Sequence, residues 1–185
     1  MDLNLRHFTL LLLKRPLLNS IAHQMNDNAM NELTHKIKAL LQAGNKSETV
    51  LPQVLQLVLT TYRSETGTIH RLDVEKQLLQ LAAQIGMPPF LMDKIKTIPV
   101  GKGIAGETVV RGGPVTMCNL QTDTSGVAKP DAKQTGVGGA LCVPLRAGDK
   151  IIGTLGIGTQ RPYEYTAAET QTLEEIGRLL GERLV

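Results

Sequence analysis

The segment IPVGKGIAGETVVRGGPV, residues 98–115, limits the possible folds more than any other stretch of the chain. Its first half, Gly101–Gly106, has the G-x-G-x-x-G spacing of dinucleotide-binding loops. In those loops a central strand leads in, and a helix as long as the sheet leads out. Here the helical residues after the loop extend only over Glu107–Arg111, because a Gly-Gly-Pro sequence ends them. The segment therefore predicts a corner followed by a short helix.

The residues that enter this corner also argue against a nucleotide site. Ile98-Pro99-Val100 reads as a short strand whose proline cannot donate to a sheet ladder. Such a strand suits the edge of a sheet and not its centre. We interpret the glycines as residues that permit positive φ angles and close packing of the backbone at a corner.

Two-residue alternation predicts an antiparallel arrangement of strands in the middle of the chain. Gly67–Leu72 and Gln77–Ile85 should form a hairpin across the polar corner between them. Further strands are expected at Pro114–Cys118, Gly139–Leu145 and Lys150–Gly158. Strands therefore outnumber helices in this part of the chain.

Helices are predicted on both sides of these strands. The apolar residues of Met30–Leu41 fall on one helical stripe, and Gly44 supplies a stop signal. A second helix with a wider apolar face is expected over Ser47–Tyr62. Near the C-terminal end, Thr166 and Glu169 form a capping box ahead of another apolar stripe.

Composition and charge give no support to nucleic-acid binding. The 185 residues include 20 basic and 17 acidic side chains, and their net charge is only +3. The two signs are interleaved and form no basic arm. Because 3% of residues are aromatic, few rings are present for stacking on bases. We expect no nucleic-acid partner.

Neither a membrane span nor a disulfide framework is indicated. The longest early apolar run, Phe8–Leu13, ends at Lys14-Arg15-Pro16, far short of the ~20 residues that a span needs. It also lacks the cleavage site of a secretory leader. Cys118 and Cys142 are the only cysteines, and no thiol-rich metal site is apparent. These features favour a cytoplasmic protein.

The order of these pieces resembles a GAF domain, the small-molecule sensory module of many bacterial signalling proteins. The corner at Gly101–Gly106 matches the G-x-G-[ILV]-[AV]-G of that family, and Pro114-Val115 matches the strand that follows its short helix. Val143–Leu145 and Ile152–Leu155 match its paired strands. The resemblance covers about residues 47–185.

The resemblance implies an α+β, GAF/PAS-like fold. Its central antiparallel sheet would have five or six strands, with the N- and C-terminal helices packed on one face. A lid of short helices and loops would cover a pocket on the other face. We therefore divide the chain into a partly helical accessory segment at residues 1–28 and a domain, with flanking dimerisation helices, at residues 29–185.

The pocket implied by the resemblance would be walled by inward-facing residues of the first hairpin and by the lid. The polar loop Asn119–Gly138 is a further source of contacts, because loops of that length in compact domains are usually functional or mobile. The candidate ligand-binding residues are Thr68, His70, Phe90, Ile95, Ile104, Val109, Met117, Cys118, Asp123, Thr124, Ser125 and Val137. No residue is predicted to be catalytic or to bind metal, and the sequence does not indicate a particular ligand or cofactor. A packed core without a ligand would explain the apolar members equally well.

One branch of the family is enzymatic. Free methionine-(R)-sulfoxide reductases are similar in the glycine corner but place one cysteine directly after it and another in the polar loop. Ala105 stands at the first place, and Asn119–Gly138 contains no cysteine. Sulfoxide reduction needs a thiolate nucleophile and a resolving thiol. Because Cys118 and Cys142 could meet across adjacent strands, thiol chemistry stays open as an alternative.

Other ligand-binding branches fit less well. The N-K…F-x-x-x-D-E pattern of the cyclic-nucleotide binders fails, because Asn45-Lys46 precedes the domain and Phe90 is followed by Asp93. Neither cysteine has the neighbouring histidine that bilin attachment uses. His70 is the one histidine expected within the sheet, where we interpret it as a residue beside the pocket and not as a haem ligand.

Signalling requires two states and a ligand that prefers one of them. The stripes at Met30–Leu41 and Leu173–Leu184 present apolar faces that pairing in a homodimer would bury. We therefore expect a sensory domain that binds a small molecule under the 119–138 loop and signals through a helical dimer interface to a downstream protein or output domain. The alternatives are a thiol-based reductase and an interaction module without a ligand.

Overall fold

The computed structural model describes residues 27–43, 46–122 and 136–185. Several predictions therefore lie outside the described residues: most of the accessory segment at 1–28, the stop signal at Gly44, and the candidate ligand contacts Asp123, Thr124 and Ser125.

A six-stranded antiparallel sheet forms the centre of the domain, with the strand order β3-β2-β1-β6-β5-β4. The predicted antiparallel sheet is thus confirmed, and the proline-containing strand lies at its edge, as the sequence indicated. The strands are β1 (Thr66–Asp73), β2 (Leu78–Ile85), β3 (Thr97–Pro99), β4 (Val115–Met117), β5 (Gly139–Ala147) and β6 (Lys150–Thr159).

Three long helices pack on one face of this sheet, and short helices lie over the other. Helices α1, α2 and α5 share one hydrophobic core with residues of β1, β2, β5 and β6. The helices are α1 (27–42), α2 (Ser47–Tyr62), α3 (Met92–Ile95), α4 (Gly103–Arg111) and α5 (Ala167–Leu184), and a 3-10 turn (Pro89–Leu91) precedes α3. The fold is therefore α+β, with a lid opposite the long helices.

The glycine-rich corner has the structural role that its sequence suggested. Gly101 and Gly103 have φ angles of 77° and 61°, in the left-handed region that favours glycine. A Cβ at Gly106 would lie 2.5 Å from the carbonyl oxygen of Pro99, so the backbone passes too closely for a side chain. The short helix begins at Gly103 and not at Glu107, because the second half of the glycine motif forms its first turn.

Both apolar stripes at the chain ends are buried in the same chain. Ile37 of α1 and Leu180 of α5 are fully buried in the shared core. Lys38 Nζ also lies 3.0 Å from Glu175 Oε1, which joins the two helices at the surface. These stripes do not need a second copy to cover them, so they no longer argue for a homodimer.

Helix α5 begins at the predicted capping box and lies directly on strand β5. Thr166 Oγ1 accepts a hydrogen bond from the Glu169 amide, and Glu169 Oε2 accepts one from the Thr166 amide. A Cβ at Gly177 would lie 2.6 Å from the Pro144 carbonyl oxygen, which shows how closely helix and strand approach. Strand β5 therefore has α5 on one face and the lid side on the other.

Candidate functional site

A cavity of about 550 Å³ lies between the sheet and the lid. Its floor is formed by β1, β5 and β6, and its roof by the 3-10 turn, α3, β3 and the first turn of α4. Leu120 and Val137 close one side and pack together in a small apolar cluster with Ala140. This size is within the usual range of small-molecule sites, about 300–1,000 Å³.

The residues that form the floor of the cavity are small, so they leave the space above the sheet open. Gly156 and Gly158 of β6 lie in the floor together with Ala140 and Cys142 of β5. Each of these glycines pairs with a residue of β1 and a residue of β5, so the sheet ladder occupies this part of the backbone. The floor therefore offers surface for packing but few free backbone groups.

The walls and roof are mainly apolar. Leu91 is buried, and Ile95, Ile98 and Ile104 are partly exposed to the cavity or to solvent. Of the described residues that line the cavity, only Lys94 and Lys102 are charged, and both are exposed. The charge is thus at the solvent side, and the interior suits an apolar molecule.

His70 connects the floor of the cavity to the lid. Its Nε2 lies 2.8 Å from the backbone carbonyl oxygen of Ile95 in α3. A carbonyl oxygen only accepts hydrogen bonds, so Nε2 must carry the proton and donate it. The other ring nitrogen, Nδ1, is buried and has no hydrogen-bond partner among the described residues.

Burial keeps His70 neutral. The side chain is only 1% exposed, and this burial lowers the pKa of His70 below its ordinary value of 6.5, while the hydrogen bond to Ile95 raises it by less. At neutral pH the ring is therefore an uncharged group fixed between a strand and the lid.

A second buried polar group lies beside His70. Thr154 of β6 is paired with His70 in the sheet register, and its Oγ1 also lacks a hydrogen-bond partner among the described residues. Burial raises the pKa of the Cys142 thiol to about 11, although the hydroxyls of Thr108 and Thr154 act in the opposite direction. The thiol is therefore protonated at neutral pH.

The predicted ligand-binding residues divide into two groups. Thr68, His70, Ile95, Ile104 and Val137 line the cavity. The other described candidates do not, for reasons of position. Phe90 on the 3-10 turn is 57% exposed, and Cys118 is exposed at the end of β4. Val109 lies a turn beyond the residues of α4 that line the cavity, and Met117 packs against the small apolar cluster without lining the cavity.

Sequence reasoning missed the part of the floor that β5 and β6 form. Gly156 and Gly158 have no side chain to propose as a contact, although glycines inside a strand often mark the close approach of a ligand or another backbone. Three glycines in the strand sequence KIIGTLGIGT were the available signal. The roof residues Leu91 and Ile98 were also missed, because short lid elements give no periodicity from which to orient side chains.

The two cysteines do not face each other. Cys142 is buried and pairs with Val115 in the β4–β5 register, whereas Cys118 follows the end of β4 and is exposed. Within the part of the chain that the structure describes, no cluster of His, Cys, Asp and Glu could hold a metal ion. No helix among the described residues is long and apolar enough to cross a membrane.

Comparisons with known proteins agree on one fold. A family model described as GAF domain matches residues 45–184. A search of curated proteins finds no match.

Solved structures with a similar fold include both GAF domains and reductases. They include the GAF domain of a phosphoenolpyruvate-protein phosphotransferase from Coxiella burnetii, with 16% identity, a TM-score of 0.76 and coverage of 86% of this chain and 94% of that chain. The A. aeolicus nlh2 GAF domain in an inactive state has 19% identity, a TM-score of 0.71 and coverage of 86% and 97%. The free methionine-R-sulfoxide reductase from Neisseria meningitidis, in complex with its substrate, has 16% identity, a TM-score of 0.69 and coverage of 83% and 87%. These similarities confirm the predicted fold class.

Proposed function

Because the chain belongs to the GAF domain family, we propose that it is a sensory or regulatory domain that binds a small molecule in the cavity between sheet and lid. The observation that carries this proposal is the cavity itself, about 550 Å³ in volume, with glycines in its floor. Small-molecule sites are typically concave, mostly apolar pockets of about 300–1,000 Å³, and this space has those properties.

We propose that the domain is not catalytic. The protonated thiol of Cys142 is a poor nucleophile, and the strand register does not bring Cys118 opposite it. Sulfoxide reduction by two thiols needs both in reach of one substrate. Similarity to reductases of known structure supports a shared fold and leaves the chemistry to the residues of this chain.

Strand β5 supports a route from the cavity to the long helices. Ala140 and Cys142 line the cavity on one face of β5, while Val143 and Leu145 lie in the core beneath α1, α2 and α5 on the other. A ligand that displaces β5 would therefore move the strand on which α5 rests. We propose this displacement as the signal, received by a downstream protein or output domain.

A homodimer remains part of the proposal, but it must use other surfaces. The outward residues of α1, such as Glu32, Lys36 and Gln42, are exposed and polar. A dimer formed through these residues would have a polar, reversible interface, unlike the apolar interface of an obligate dimer. Its formation could then depend on the ligand.

Native mass spectrometry of freshly purified protein tests ligand binding directly. We expect a reproducible added mass, or, for empty protein, shifts in the amide resonances of β1 and β6 when a panel of small metabolites is titrated. Absence of both would contradict a sensory cavity. For the enzymatic alternative, thioredoxin-coupled NADPH oxidation with methionine sulfoxide should stay at background in wild-type protein and in Cys118→Ser/Cys142→Ala.

A further inference from the structure

Gly156 is a glycine that the protein itself does not require. It has no left-handed φ angle. A Cβ at this position would lie 3.5 Å from Thr68 Oγ1 and 3.6 Å from Cys142 Sγ, which are ordinary van der Waals contacts. By contrast, a Cβ at Gly153 would lie 2.1 Å from the carbonyl oxygen of His70. An alanine at position 156 would fit without displacing its neighbours, and any side chain there would take up space in the cavity.

The space above Gly156 is bordered by polar groups that carry no charge. The Thr68 hydroxyl lines the cavity and makes no hydrogen bond to the described residues. The Cys142 thiol on the other side is protonated, and the nearby His70 ring is neutral. A hydrogen-bonding group placed there would find a partner in Thr68, whereas an ionic group would find no opposite charge.

Among the described residues that line the cavity, the charged side chains are those of Lys94 and Lys102. Lys94 and Lys102 are exposed, so water screens them from the floor. A charged group on a ligand would be accepted at this rim and rejected at Gly156.

We propose that the cavity selects a mainly apolar small molecule whose inner end carries one uncharged hydrogen-bonding group, such as a hydroxyl, positioned over Gly156 and bonded to Thr68. This inference rests on the proposed ligand-binding function. It assigns specificity to two residues: Gly156 provides the space, and Thr68 provides the polar contact.

Three probes that share the naphthalene ring separate the contribution of a hydroxyl group from those of the apolar ring and of a charge. Titrations of wild-type protein with 2-naphthol, naphthalene and 2-naphthoate at neutral pH, followed by NMR, give an affinity for each. We expect 2-naphthol to bind about 2–10-fold more tightly than naphthalene, because one hydrogen bond is gained. The carboxylate of 2-naphthoate has no partner at the floor and is accepted at the rim instead, so the affinity for this probe should not change in Thr68→Val.

Variants at the two residues identify the site. Thr68→Val should reduce the affinity for 2-naphthol to that for naphthalene, and Thr68→Ser, which keeps the hydroxyl, should restore it. Gly156→Val should weaken all three probes, since its methyl groups occupy the cavity, while the melting temperature does not fall. Gly113→Ala is the matched control, because a Cβ there has no atom within 4 Å and the residue does not line the cavity.

The outcomes distinguish the inference from the function on which it rests. If no probe and no metabolite binds wild-type protein, the sensory cavity itself is refuted. If probes bind but Thr68→Val weakens 2-naphthoate as much as 2-naphthol, or Thr68→Val and Gly156→Val leave the affinity for 2-naphthol unchanged, the inference is overturned and the sensory function stands. If Gly156→Val fails to fold, Gly156→Ala tests the same space with a single methyl group.

Discussion

His70 makes stability depend on pH through its burial. Because the pKa of the folded-state ring is lowered by burial, the unfolded chain binds more protons below about pH 6.5. The contribution of His70 to the free energy of unfolding should therefore be fully present above about pH 6.5. It should be lost as the pH drops from about 6.5 toward the lowered folded-state pKa. Urea unfolding across this range should show the loss in wild-type protein and a flatter profile in His70→Gln. His35→Gln, at an exposed position of α1, should keep the wild-type profile; an unchanged slope in His70→Gln would contradict the assignment.

Cys142 should be inert in the folded protein. With a thiol pKa of about 11, its thiolate fraction at pH 8 is on the order of one in a thousand, and the side chain is buried. We expect iodoacetamide to modify only Cys118 in native protein, as measured by intact mass. Cys118→Ser should therefore stay unlabelled until it is unfolded, and then take one label. Rapid labelling of Cys142 in the native Cys118→Ser variant would support the thiol-based alternative.

At the scale of elements, α5 and β5 pack so closely that glycines are required. A Cβ at Gly181 would lie 2.0 Å from the carbonyl oxygen of Arg146, so an added methyl group must push helix and strand apart. In an ordinary helix, replacing glycine by alanine stabilises by up to ~1 kcal/mol. Here we expect Gly181→Ala to reduce the free energy of unfolding by about 1–3 kcal/mol, the usual cost of overpacking. Urea unfolding measures this change. Glu182→Ala, at an exposed position, is the control and should stay within roughly ±0.5 kcal/mol of wild-type protein. If Gly181→Ala is as stable as wild-type protein or more stable, the close approach of α5 to Arg146 is contradicted.

Elements with strong local signals were predictable from the sequence. The helix over Ser47–Tyr62, the hairpin before Pro88 and the capping box at Thr166 each depend on neighbours in the chain, and each is present. The pairing of β1 with β6 and the resulting strand order depend on tertiary packing, so the pattern did not determine them.

The candidate site was only partly predictable for the same reason. His70 could be found because it is the one histidine within the strands that the sequence predicts, but the hydrogen bond of its ring to Ile95 requires the lid to be in place. Phe90 was expected in the wall because it is apolar, yet a single 3-10 turn has no periodicity to orient it. The space over Gly156 depends on three adjacent strands at once.

At the scale of the whole molecule, the question is whether the apolar stripes of α1 and α5 are buried within one chain or against a second copy. An amphipathic pattern shows that one face of a helix is buried, but it does not distinguish the same chain from a second copy. The structure places Leu33 and Ile37 of α1 in one core with Leu173 of α5. Helices α1 and α5 therefore belong to the same folding unit as the sheet.

This placement gives a test at the scale of the molecule. Ile37 is fully buried, so Ile37→Ala should reduce the free energy of unfolding by about 2–5 kcal/mol, and Ile37→Val by about 0.5–1.5 kcal/mol. If the stripes are covered within one chain, this loss is independent of protein concentration, and light scattering gives the same oligomeric state for Ile37→Val as for wild-type protein. If the stripes instead form a dimer interface, the same substitutions convert dimer to monomer and make the melting temperature depend on concentration. Ala39→Ser, at an exposed position of the same helix, is the control: it should cost at most about 0.5 kcal/mol through helix propensity and leave the oligomeric state unchanged.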